Sequence, residues 1–137
     1  MASEPPAARE DGERGSAVVD FVMVSMLIVA LLMAVLQVAV YVHVRNVVTA
    51  SAQDGARYAA NADVDSGVGA DRTVQVVARA TSEQTARGLA CTSQEEPDPS
   101  GATVVVVRCS GSVPSLLAAL GNLLPLEVTG RALKEGS

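Results

Sequence analysis

Hydrophobic positions are spread unevenly along this chain of 137 residues. Phe21 to Val42 runs 22 residues without a charge, and Ser25 and Gln37 are its only polar members. As a helix at ~1.5 Å per residue the stretch is about 33 Å long, enough to cross a hydrocarbon core about 30 Å thick. A buried helix of a soluble domain would carry a polar stripe, and this one has none. The pattern predicts a transmembrane helix. It is too long for the apolar core of a secretory signal, and Ala39-Val40-Tyr41 offers no Ala-x-Ala site after it. An uncleaved anchor, or one cut ahead of the apolar core, fits better.

Downstream of Val42 the period of the pattern changes twice. Residues 43–61 read as the same helix continuing into water, with polar residues on one side. Ser51, Gly55 and Ala59 form a ladder of small residues, and Ala52, Ala56 and Ala60 a second. Such ladders let another helix or a sheet approach closely, though alanine is also simply a good helix former. Residues 61–71, with two glycines and three aspartates, read as a loop. They lack the EF-hand order and its closing glutamate, so calcium is not expected. A second helix is predicted over 72–90, with Asp71 as N-cap and Gly88 as stop. Thr103–Val107 then gives a β-branched strand signal, Leu126–Leu133 alternates as a half-buried strand, and Leu89–Gln94 offers a third. Between the last two strands of the chain, PSLLAALGNLLP reads as a short apolar helix or loop that caps the core or forms an interface patch. The expected fold is α+β: a long N-terminal membrane helix continuing outside the bilayer, a second helix and a small antiparallel sheet. The expected division is a disordered leader at 1–15, the helix and its extension at 16–61 with membrane core 21–42, and an extracytoplasmic domain at 62–137.

Composition narrows the reading. Phe21, Tyr41 and Tyr58 are the only aromatic residues, so a small domain built from the remainder is marginal without a staple, a membrane or a partner. Cys91 and Cys109 are the only cysteines. Each lies in or beside a predicted strand, and an antiparallel hairpin would bring them together. The chain-entropy model gives a disulfide closing such a loop about 3 kcal/mol. If that bond forms, the domain lies outside the cytoplasm, which orients the anchor with its N-terminus inside. Basic residues alone do not decide this, because Arg9 and Arg14 precede the segment while Arg45 and Arg57 follow it. The net charge of −5 and the absence of a basic patch interleaved with aromatics argue against nucleic acid. A single lysine, Lys134, beside frequent Arg, Ala, Val and Gly hints at a high-GC genome.

Candidate chemistry is sparse. The one histidine, His43, sits at the membrane boundary beside Arg45 and reads as interfacial. Nucleophile elbows, phosphate loops and metal-ligand clusters are missing, so no enzyme, metal or cofactor is expected. One feature stands out: Gly15, then Ser16-Ala17-Val18-Val19-Asp20-Phe21 leading into the apolar helix. A carboxylate at a bilayer edge is costly unless paired. By itself Asp20 reads either as such a functional charge or as an acid favouring the positive end of a helix.

That stretch resembles the class III signal of type IV pilins and pseudopilins, and within them the TadE-like minor pseudopilins of tight-adherence (Flp) pilus systems. Asp54-Gly55-Ala56-Arg57-Tyr58-Ala59-Ala60 resembles the Gly-Ala-Arg segment that those proteins carry after the membrane helix. The resemblance covers residues 14–60. It implies cleavage by a prepilin peptidase between Gly15 and Ser16 on the cytoplasmic side. Asp20 then occupies the fifth mature position, where the family usually has glutamate, and pairs with the free amino group of Ser16 in a neighbouring subunit. The implied partners are the lipid bilayer, other pilin or pseudopilin subunits, the peptidase and tight-adherence assembly proteins. The implied role is structural, in assembly of a pilus or a related secretion apparatus, with the Ser51, Gly55 and Ala59 ladder continuing helix packing outside the bilayer. The rival expectation is an uncleaved single-pass envelope protein whose outer domain binds another protein.

Overall fold

Helix α1, Ala7–Ala59, dominates the computed structural model, which describes residues 7–113 and 124–136. No proline falls within its 53 residues, so nothing in it removes a backbone donor or forces a kink. The leader expected to lack structure at 1–15 is helical from residue 7 onward. Adding a turn to an existing helix avoids the cost of nucleation, and Ala, Arg and Glu in 7–14 are good helix formers. Residues 1–6 of that leader lie outside the described residues.

The remaining elements are α2 (Val68–Ala80), α3 (Glu83–Arg87), β1 (Leu89–Pro97), β2 (Thr103–Val113) and β3 (Leu124–Leu133). The fold class is α+β, with the long apolar helix, further helices and a three-stranded antiparallel sheet. The single helix expected over 72–90 is two. α2 starts at Val68 after Gly67, which places Asp71 in its first turn and not at its cap. It stops where the Thr81 hydroxyl donates to its own Val77 carbonyl (2.8 Å) and Ser82 caps α3 by accepting from the Thr85 amide (3.1 Å). Short hydroxyl side chains compete with the helix for its backbone partners. Gly88 does end α3.

The strands are ordered β1-β2-β3, with Cys91 opposite Cys109 and Cys109 opposite Val128. All three outlast the expected runs, because pairing to a neighbour carries Ser110–Val113 and Leu124–Pro125 into the ladder although their residue types give a weak strand signal. One sheet face presents Val105, Val107, Cys109 and Val113 from β2 with Leu126 and Val128 from β3, all buried. All but Val105 meet Val44, Val48, Ala52 and Ala56 of α1 and Val77 of α2 in the main core, while Val105 packs with Ala59 and Ala60 at the end of α1 in a second cluster. The chain therefore divides into two units, 1–36 and 37–137. The expected boundary at 61/62 is not a packing boundary, since α1 from Gln37 onward supplies one wall of the core.

The opposite sheet face is not a bare polar surface. Val106 is 0% exposed there, with Gln94 and Arg131 opposite it on either side and the Arg108–Glu96 ion pair running diagonally across (2.6 Å). Long polar side chains cover apolar surface with their stems while their heads stay in water. The apolar segment 114–123, with Leu116, Leu120 and Leu123 of the expected cap or patch, lies outside the described residues.

Candidate functional site

Among the described residues the candidate functional geometry is that of the long helix and of what docks on it. In the first unit, Gly15, Ser16 and Asp20 are exposed positions on α1. A side-chain carbon added at Gly15 would meet nothing within 4 Å. The helix beyond them is exposed as well: Phe21 is 73% and Met26 69% accessible. Among the described residues this is the one helix long and apolar enough to cross a membrane, and none of its most apolar stretch is buried by the chain. An apolar surface of that extent marks contact with lipid or with other helices. The helix's length and composition are those of a membrane anchor.

In the second unit the small-residue ladders are taken up inside the chain. Ser51 is buried, and Ala52, Ala56 and Ala59 are fully so. A side-chain carbon at Gly55 would lie 2.1 Å from Thr73 Oγ1 and 2.5 Å from the Gly69 carbonyl oxygen of α2. The two helices cross there at glycine on both sides, and Val107 of the sheet backs Gly69 from behind. Buried Thr73 secures the crossing, its hydroxyl directed at the Gly69 and Ser51 carbonyls (2.8 and 3.3 Å). The second ladder serves the sheet: a carbon at Gly130 of β3 would fall 2.4 Å from the Ala52 backbone. The expectation that the ladder continues intermolecular helix packing meets this finding, because Ser51, Gly55 and Ala59 face the chain's own α2 and sheet. Around Gly55, Asp54 pairs with Arg72 of α2 (3.3 Å), and the Arg72 guanidinium lies 5.3 Å from the centre of the Tyr58 ring. The Asp54–Ala60 segment thus docks α2 onto α1.

Three polar contacts that the sequence pattern did not single out complete the docking. The Gln53 side-chain amide both donates to the Arg131 carbonyl (2.5 Å) and accepts from the Arg131 amide (3.2 Å), taking up the open edge of β3 as another strand would. Lys134 Nζ donates to the carbonyls of Ala59, Asn61 and Val64 at 2.9, 3.1 and 2.6 Å. A cation there satisfies carbonyls that the end of α1 leaves without helical partners. The Tyr41 hydroxyl donates to the Pro125 carbonyl (3.1 Å). Lys134 is the only lysine of the chain, a rarity that was visible, but nothing local showed that it would cap a helix ended 75 residues earlier. His43 is exposed on α1.

Cys91 and Cys109 form a disulfide, their Cα atoms 4.1 Å apart. It joins directly opposed residues of β1 and β2, and Cys109 belongs to the core. On the far face the Arg108 guanidinium and the Gln94 amide hold the Glu96 carboxyl down to about 2. The Ser100 hydroxyl and amide lower that of Asp98 in the adjoining turn. Both are turn and strand chemistry. Among the described residues no group of His, Cys, Asp and Glu is placed to hold a metal ion.

Fold and site together define a membrane-anchored α+β protein whose soluble unit is built on the continuation of its own anchor. The family model described as TadE-like protein matches residues 15–57. Residues 15–57, which open at Gly15 and end at Arg57 inside α1, are therefore similar to TadE-like proteins, a likeness consistent with Tad pilus systems. The sheet lies beyond the matched segment. No curated protein and no solved structure matches the chain.

Proposed function

We propose that the chain is a TadE-like pseudopilin, a structural component in the assembly of a tight-adherence (Flp) pilus or a related secretion apparatus. The single observation that carries this is the extent of the family match, which starts at Gly15 and runs through the apolar helix into the Gly-Ala-Arg segment. In this reading a prepilin peptidase cuts between Gly15 and Ser16, and Asp20 pairs with the new amino group of Ser16 on a neighbouring subunit. Phe21 to Leu36, exposed except for the half-buried Ser25 and Met33, packs against lipid and other pilin helices. The N-terminus is cytoplasmic and the sheet extracytoplasmic, a compartment in which the Cys91–Cys109 bond persists. The protein acts by assembling and not by turnover. With its small-residue ladders occupied internally, its contacts to other subunits run through the apolar helix and the outer surface of the soluble unit.

Intact-mass measurement of the protein expressed with and without a prepilin peptidase tests the reading. The expected result is loss of residues 1–15 only when the peptidase is present, abolished by a bulky substitution such as Gly15→Leu. Retention of the leader in membranes with proven peptidase activity would sink the pseudopilin reading and leave an uncleaved single-pass envelope protein.

A further inference from the structure

We infer that the Leu124–Pro125 start of β3, beside Gln37 to Tyr41 of α1, is seated in the bilayer surface on the Val42 side. The site comprises Gln37, Val38 and Tyr41 of α1 with Leu124 and Pro125 of β3, and its occupant is the upper acyl-chain region of the lipid. The inference rests on Phe21–Val42 as the membrane crossing.

Direction comes first. β3 runs alongside α1 and in the same sense. It begins beside Tyr41, through the Tyr41–Pro125 hydrogen bond, passes Ala52 at Gly130, and ends at Ala59 and Asn61 through Lys134. Val113 pairs with Leu124, so this end of the ladder lies at the Gln37–Tyr41 level of the helix. A shallow hollow there is lined by Gln37, Val38, Tyr41 and Leu124.

Depth follows from helix arithmetic. Asp20 is the last charge before the apolar stretch, and Phe21 to Leu36 is only 16 residues. At ~1.5 Å each they span about 24 Å, short of the roughly 30 Å hydrocarbon core by about four residues. Gln37 to Val40 must complete the crossing, and Leu124 and Pro125 lie at their level. Gln37 is compatible with that depth because the soluble unit buries it to 7% exposure, and Tyr41 is the amphipathic ring expected at an interface.

Charge along the sheet supports the same placement. The end near Lys134 carries Glu95, Glu96, Asp98 and Glu135. At the other end the first charge on β3 is Glu127, three residues and about 10 Å up from Leu124 at the usual strand rise.

The chain contains no tryptophan, so single reporters can be placed in the full-length protein. Leu124→Trp and Pro125→Trp would be reconstituted in phosphatidylcholine vesicles brominated near the top of the acyl chains. Leu31→Trp, read in vesicles brominated near the chain ends because it lies at mid-bilayer, serves as the buried-in-lipid reference and Leu133→Trp, at the far end of β3, as the aqueous one. Pro125 is exposed, so that variant keeps the test open should Leu124→Trp fail to fold. The expected result is blue-shifted emission at 124 and 125, with a fractional loss of intensity at least half that of Leu31→Trp and well above that of Leu133→Trp. If Leu31→Trp is quenched while 124 and 125 behave like 133, the start of β3 stands clear of the bilayer and the inference is overturned. If Leu31→Trp is not quenched, the membrane crossing fails and the inference falls with it.

Discussion

Gly55→Ala puts the docking of α2 to the test, because two opposing effects of known size meet at one atom. Alanine favours a helix over glycine by about 1 kcal/mol, so on an open helix face the substitution would stabilise. Here the new methyl would lie 2.1 Å from Thr73 Oγ1 and 2.5 Å from the Gly69 carbonyl oxygen. Ordinary contact needs roughly another ångström, and the blocking oxygen at Gly69 is backbone. α2 cannot retreat without pressing Gly69 on the sheet, where Val107 already stands 3.0 Å from the corresponding carbon position. Overpacking of this kind costs about 1–3 kcal/mol, and displacing the Thr73 hydroxyl from its two carbonyls adds about 1 kcal/mol. The net expectation is a loss of about 1–3 kcal/mol. Urea unfolding of the full chain in detergent micelles, followed by far-UV circular dichroism, reads it as a fall in midpoint on the order of 1 M. A midpoint that rises, as helix propensity alone would produce, would refute the close crossing and with it the internal role given to the Ser51, Gly55 and Ala59 ladder.

Two further outcomes are expected. Glu96 is held at about 2 by Arg108 and Gln94, below its unfolded value. Its contribution is therefore present above the unfolded pKa of about 4.3 and lost as pH falls toward 2. The melting temperature of the wild type should exceed that of Glu96→Gln at neutral pH and converge on it by about pH 2. A gap that persists unchanged across that range would show that the ion pair does not carry it. Cys91 and Cys109 are separated by 18 residues, so reduction, or the double change Cys91→Ala with Cys109→Ala, should cost about 3 kcal/mol. A urea midpoint unaffected by reductant would contradict that cross-link as a stabiliser of the soluble unit.

What the chain announces locally it announces well. Phe21–Val42 declares a membrane helix by length and lack of charge, because the bilayer is a uniform solvent that reads each residue independently of the fold. The β-branched run at 103–107 and the alternation from Leu126 to Leu133 declare strands for a similar reason: a period of two needs only the chain itself to be seen. Tertiary structure decided the rest. The ladders at 51–60 advertise close approach but not to what, since small residues fit any neighbour equally. Only the fold shows that Gly55 meets Gly69 and that Ala52 meets Gly130. Gln37 and Tyr41 look like lipid-facing members of the anchor until β3 is seen beside them. Lys134 looks like an ordinary terminal cation until the end of α1 is found at its side. Hydrophobicity and period are properties of a segment, whereas close packing and capping are properties of pairs that folding alone brings together.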